Sequence, residues 1–224
     1  MLYIVSTPIW NLEDITFRAI NTLKEVDLIA CEDTRTSSVL LNHYQIKKPL
    51  LSFHSFSWVT KIDKIMEALK SGKKVALISD AWTPWISDPW FALIKEVILE
   101  NIEVIPIPWV TAFTTALMAS GMQMNHFLYL WFLPLKKGRQ TLLNLLVERK
   151  NSKLSETMII YESVHRIEKT LKELWNYFWE NHKIVVAREL TKKFEEFIRW
   201  EIFEVIAYFK ENPSKVKWEF VILF

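Results

Sequence analysis

The run Val75-Ala76-Leu77-Ile78, continued by Ser79-Asp80-Ala81-Trp82-Thr83-Pro84-Trp85-Ile86-Ser87-Asp88-Pro89-Trp90, sets the reading of the whole chain. Four consecutive apolar residues predict a strand covered on both faces. The polar stretch after them leads into an apolar helical pattern over 91–100. A loop between a strand's carboxyl end and the next helix is where open α/β sheets take up ligands. Two aspartates, two prolines and three hydroxyl residues make this one polar and stiff. Three tryptophans stand at turn positions where such a loop ordinarily carries glycine.

Outward from this loop the same alternation repeats. Strands are predicted over 2–6, 26–31, 50–54, 75–79 and 103–108, with helices over 15–24, 37–44, 61–70, 91–100 and 109–120. Asn11 is the expected N-cap of the first helix, with Asp14 in its first turn, and Gly72 closes the third. The polar run Glu32-Asp33-Thr34-Arg35-Thr36 follows the second strand. This spacing predicts a parallel, doubly wound sheet over residues 1–120, its polar loops gathered at one edge. Residues 122–125 mark a boundary. A second, smaller mixed α/β domain over 121–224 follows, with strands at 127–133, 157–162, 183–187 and 218–224 and helices at 167–178 and 201–209. Its segment 136–153 holds six basic residues and one acid, Glu148.

Composition narrows the function. The 224 residues carry a net charge of +2, so a polyanion-binding surface has to be local. A lone cysteine, Cys31, excludes an internal disulfide, reads as a small buried apolar residue and fits a reducing cytoplasm. Met1-Leu2-Tyr3-Ile4-Val5 enters a strand directly, so no secretory leader is expected, and no apolar run is long enough for a membrane span. His43, His54, His126 and His182 show no metal-ligand spacing, and no metal is expected. One figure is abnormal. Ordinary usage of about 7% predicts roughly 16 glycines; the chain has 3, beside 11 tryptophans. The tryptophans sit at turns beside proline and aspartate rather than on one sheet face, which argues against a row of base-stacking platforms.

Seven blocks, in order and spanning nearly the full length, carry a resemblance. They are Thr7-Pro8-Ile9-Trp10-Asn11-Leu12-Glu13-Asp14; Cys31-Glu32-Asp33-Thr34-Arg35; the opening loop; Pro106-Ile107-Pro108-Trp109; Phe132-Leu133-Pro134; Tyr161-Glu162-Ser163-Val164-His165-Arg166; and Ala187-Arg188-Glu189-Leu190-Thr191-Lys192. Together they resemble the ribosomal small-subunit RNA ribose 2′-O-methyltransferase I group of the tetrapyrrole methylase superfamily. The resemblance implies a two-domain tetrapyrrole-methylase-like α/β fold with S-adenosylmethionine in the cleft between domains. It implies methylation of a cytidine ribose 2′-oxygen in small-subunit ribosomal RNA, free or in the assembled subunit, by a cytoplasmic homodimer. The family pattern has glycine where this chain has Trp10, Trp82, Trp85, Trp90, Trp109, Trp131, Trp200 and Trp218.

Residue by residue, the resemblance puts Pro8, Trp10, Asp80, Ala81, Trp82, Thr83, Asp88, Trp109, Thr111 and Ala112 at the cofactor. Asp80 and Asp88 meet its amino-acid or ribose part, or cap their own loop. Thr111 and Ala112 open a helix that meets its carboxylate or adenine, or is an ordinary helix start. Asp33, Arg35, Glu162, His165 and Arg166 are the catalytic candidates, each equally suited to a structural salt bridge. Lys136, Lys137 and Arg139 are expected on RNA phosphate, or in a solvated basic loop. Two other readings compete: a non-catalytic chain whose tryptophans block the cofactor, and a methylase of small tetrapyrroles.

Overall fold

The computed structural model describes residues 1–52, 58–79, 90–108, 111–151, 156–178 and 182–224, with side chains described outside 58–60. The chain divides into two compact units, Met1–Thr111 and Ala112–Phe224.

The first unit alternates β1 (Leu2–Val5), α1 (Phe17–Glu25), β2 (Leu28–Cys31), α2 (Thr34–His43), β3 (Leu50–Ser52), α3 (Trp58–Lys70), β4 (Val75–Ile78), α4 (Trp90–Leu99) and β5 (Val104–Ile107). The five strands pair in parallel in the order β3-β2-β4-β1-β5. All four β4 residues are buried, as a centrally placed strand of a sheet covered on both sides requires. Alternation sends Val75 and Leu77 to one face, where Ile65 and Leu69 of α3 and Leu93 and Val97 of α4 cover them. It sends Ala76 and Ile78 to the other, against Ala19 and Leu23 of α1 and Leu41 of α2. Each fully buried leucine or isoleucine contributes about 1.5–3 kcal/mol.

Helix starts differ from the sequence reading. Asn11 caps a 3-10 turn, Leu12–Asp14, and α1 begins later, where the Thr16 hydroxyl accepts from the Ala19 N–H at 3.0 Å. Most of the polar run after β2 starts α2: Asp33, a strong N-cap, precedes the helix, and Thr34, Arg35 and Thr36 form its first turn. Gly72 stops α3 at φ 84°, the left-handed conformation that glycine reaches without a side-chain clash.

The second unit holds α5 (Ala112–Ser120), β6 (Phe127–Phe132), α6 (Arg139–Lys150), β7 (Thr157–Ser163), α7 (Ile167–Phe178), β8 (Lys183–Arg188), β9 (Glu196–Glu201), α8 (Ile202–Glu211) and β10 (Glu219–Leu223). Its sheet runs β6-β7-β10-β8-β9, with β6 parallel to β7 and the other pairs antiparallel. Met158, Ile160, Val186 and Ile222 face α6, α7 and α8, while Ile159, Val185 and Val221 face Ala116 and Leu117 of α5. Helix α6 and strand β9 are absent from the sequence reading. The leucines of α6 fall on adjacent positions and blur its helical period, and Ile198 is the only fully buried residue of β9, an edge strand rich in charge. Among the described residues no helix is long and apolar enough to cross a membrane.

Candidate functional site

In the first unit, β1 lies between β4 and β5, so three neighbouring strands end at one edge. The Thr7 hydroxyl donates to the Ser79 carbonyl at 2.8 Å and the Ser6 N–H to the Ile107 carbonyl at 3.4 Å, lacing the starts of three loops together. Ser6, Thr7, Pro8 and Ser79 are buried there, whereas Trp10 stands 51% exposed. Asp80, Ala81, Trp82, Thr83, Asp88 and Trp109 lie outside the described residues. Thr111 is buried, and Ala112 is the first residue of α5. One strand over, the Asp33 carboxylate accepts from the Arg35 N–H at 2.8 Å and from its guanidinium at 2.6 Å. Hydrogen bonding to Asp33, reinforced by its charge, raises the pKa of the exposed Arg35 further. Asp33 and Arg35 thus form one surface pair at the start of α2.

In the second unit, the ends of β6, β7 and β8 and the start of β10 come together: Phe132 pairs with Tyr161, Glu219 with Ser163, and Phe220 with both Glu162 and Arg188. Three of the sequence blocks therefore share one rim. Four non-glycine residues hold the left-handed conformation on it: Trp131 (φ 59°), Glu189 (φ 54°), Thr191 (φ 63°) and Trp218 (φ 65°). Such residues cost free energy individually and concentrate where function demands them.

Behind the rim lies a charged brace. Glu162 is fully buried and accepts from the Ser163 N–H at 2.8 Å, Arg166 Nε at 2.7 Å and the Thr170 hydroxyl at 2.6 Å. Arg139 donates to the same Thr170 hydroxyl at 2.8 Å, to the Pro134 carbonyl at 3.0 Å and to Glu173 at 2.7 Å. Arg166 reaches the Leu133 carbonyl at 3.2 Å. Glu162 and Arg166, expected at the chemistry, act on each other and on the backbone. Arg139, expected on RNA, is only 6% exposed, because its planar fork is consumed by α7 and the end of the β6 segment. Lys136, Lys137 and His165 are exposed. Thr170 and Glu173 were overlooked in the sequence, although their spacing from Arg166 puts all three on adjoining turns of one helix.

Aromatic residues fill the other side of the sheet. Phe113 stacks on Tyr129 at 4.3 Å, and Tyr161 packs edge-on to Tyr129 and Phe132. The Tyr161 hydroxyl accepts the Phe113 N–H at 3.0 Å, and burial pushes its pKa up to about 12. On the rim, burial lowers the Lys192 pKa against the pull of Glu189 and Glu219, and its ammonium sits 3.9 Å from the Trp218 ring. The described residues include no group of three or more side chains suited to a metal ion.

Known proteins share this architecture. The family described as Tetrapyrrole (Corrin/Porphyrin) Methylases matches residues 1–206. The Ribosomal RNA small subunit methyltransferase I of Mycoplasmopsis pulmonis is 45% identical over 223 residues, covering 100% of this chain and 96% of that protein. That of Haemophilus influenzae is 44% identical over 224 residues, covering 100% of this chain and 77% of that protein. Among solved structures, a diphthine synthase overlays with TM-score 0.73 at 11% identity, covering 100% of this chain and 90% of that one. The uroporphyrin-III C-methyltransferase of Thermus thermophilus complexed with S-adenosyl homocysteine overlays with TM-score 0.63 at 14% identity, covering 99% of this chain and 96% of that one.

Proposed function

The chain belongs to the tetrapyrrole (corrin/porphyrin) methylases, and from that premise we propose that it methylates small-subunit ribosomal RNA with S-adenosylmethionine as donor. The observation that carries this is the 45% identity to a ribosomal RNA small subunit methyltransferase I over the whole chain and 96% of that relative. The proposed acceptor is the ribose 2′-oxygen of a cytidine, and the proposed working state is a cytoplasmic homodimer.

The described residues at the sheet edge of the first unit suit such a donor. Buried neutral polar groups, Ser6, Thr7 and Ser79, stand at the sheet edge where open α/β folds hold nucleoside ligands. Pro8, Trp10, Thr111 and Ala112 are proposed to hold it, with Asp80, Ala81, Trp82, Thr83, Asp88 and Trp109 of the neighbouring loops. When bound, the donor supplies a methyl group on cationic sulfur, which needs no further activation. The protein's share is to align the ribose hydroxyl and take its proton. Of the five catalytic candidates, His165 is exposed and sits on the turn braced by Glu162 and Arg166, which makes it the proposed proton acceptor. Asp33 and Arg35 are proposed to orient the substrate, and Lys136 and Lys137 to meet its phosphates.

A second reading is favoured by Trp131 and Trp218. Both stand at expected glycine positions, and both take the left-handed conformation. Tryptophan at Trp82, Trp85 and Trp109 would then fill space the donor needs. Two measurements decide. Transfer of labelled methyl to intact small subunits, and not to uroporphyrinogen-type substrates, is the expected outcome; the reverse preference would overturn the RNA reading. Calorimetric titration with S-adenosylmethionine is expected to show weak binding, strengthened by Trp82→Gly, Trp85→Gly and Trp109→Gly together. Micromolar affinity in the unaltered chain would sink the idea of a blocked site.

A further inference from the structure

The outer face of α7 carries a groove with His165 at one end. Ile167, Leu171, Leu174 and Phe178 face the core. The helical period therefore turns Glu168, Lys169, Lys172 and Asn176 outward, in line with His165 just before the helix. With Val164 and Glu173 these residues line an open cavity of about 580 Å³.

Its lining sets Lys169 and Lys172 against Glu168 and Glu173. Glu173 is neutralised by the buried Arg139 at 2.6 Å, with Lys169 farther off at 3.8 Å. The same guanidinium grips the Pro134 carbonyl at 3.0 Å and the Arg139 N–H donates to the Lys136 carbonyl at 3.2 Å, which ties the exposed Lys136–Lys137 turn to the residue that holds Glu173. With Glu173 so held, Lys169 and Lys172 stand over one remaining lining acid, Glu168, and the tied turn adds the exposed Lys136 and Lys137. Trp175, 36% exposed, stands one turn beyond Lys172. Basic residues interleaved with an aromatic ring suit a nucleic-acid strand, whose phosphates and base faces they meet in turn.

We propose that this face of α7 is a track for the phosphate backbone of single-stranded RNA, leading to the His165 turn. The proposal rests on the RNA reading above and adds the path that the substrate takes. Glu168 and Asn176 border the track, the first limiting how closely phosphate approaches and the second offering a neutral hydrogen-bond partner.

Fluorescence anisotropy of a labelled single-stranded RNA of small-subunit sequence, titrated at several salt concentrations, tests this. Each phosphate contact on a single strand contributes about 0.7 to the slope of log affinity against log salt. Lys169→Ala with Lys172→Ala is expected to lower the slope by about 1.4, while Lys169→Arg with Lys172→Arg retains it. Lys64→Ala with Lys73→Ala, exposed lysines of the other unit, is expected to leave it unchanged. These side chains are exposed, and an unaltered thermal melt confirms that the fold persists. An unchanged slope in the α7 variant, an equal fall in the control variant, or equal affinity for a polyglutamate peptide would overturn the track. RNA binding by the parent chain with any of these results leaves the RNA reading standing; absence of RNA binding in the parent overturns the track alone, because the RNA reading is decided by methyl transfer to intact subunits.

Discussion

At the residue scale the chain is distinguished by where it tolerates a left-handed backbone. Gln45 and Asn101 end helices, where the amides of Ile46 and Ile102 close the last turn on Leu41 and Val97. Trp131, Glu189, Thr191 and Trp218 instead cluster on one rim of the second unit. At Trp218 the opposing effects are close in size. Replacement by glycine relieves about 1–2 kcal/mol of strain. It adds about 0.5–1 kcal/mol of unfolded-chain entropy and forfeits a Lys192–ring contact of about 0.5–1 kcal/mol. Trp218→Gly is therefore expected to leave stability within about 0.5 kcal/mol of the parent. Trp218→Ala, which keeps the strain and loses the ring, is expected to cost about 1 kcal/mol. Urea denaturation of both variants checks this, and equal tolerance of alanine and glycine would remove the strain argument. The sequence pointed to Trp131 and Trp218 only through the family pattern. Neither the sign of φ nor the ring that offsets its cost can be read from a tryptophan flanked by strand residues.

At the element scale the brace between α6 and α7 governs the second unit. Gly138, at φ 82°, swings the chain so that Arg139 enters the interior as the first residue of α6. There it joins Pro134, Thr170 and Glu173. Removing one partner of a buried pair strands the other, at about 3–5 kcal/mol when both are dry. Glu173 is 27% exposed, so Arg139→Ala is expected to cost about 2–3 kcal/mol. Arg139→Lys is expected to recover less than half of this, because an ammonium cannot span three acceptors in one plane. Chemical denaturation measures both, and full recovery by lysine would show that charge alone matters. This brace was hidden in the sequence. Arg139 sits in a run with Lys136 and Lys137, and all three read alike, as residues on RNA phosphate or in a solvated basic loop. By contrast α7 was legible to the residue, because its apolar positions keep a clean helical period.

At the scale of the whole molecule, each unit has its own core, and the second carries a pH-sensitive group. His182, leading into β8 beside Phe178, has a pKa lowered to about 4 by burial and by the charge of Lys150. The unfolded imidazole, with its ordinary value of 6.5, binds a proton that the folded one refuses. Stability is thus complete above that value and falls as pH drops toward about 4. The ring is only part-buried, so the expected loss is on the order of 1 kcal/mol after solvent screening. His182→Gln is expected to flatten this part of the profile; an unchanged acid slope in urea titrations would assign it to other groups. The sequence by itself determined the alternating strands and helices of the first unit, the mixed α/β character of the second and the family. These rest on burial patterns and helical periods within short windows, and on motifs whose order survives in the chain. Tertiary structure alone decided that β10 enters between β7 and β8, that β9 completes the sheet, and that Glu162 and Arg166 brace the rim. It alone took Arg139 from the surface to a buried clasp with a glutamate 34 residues away. The physical reason is that a charged side chain's task depends on which groups it meets and how much water reaches it, and both are properties of the folded chain.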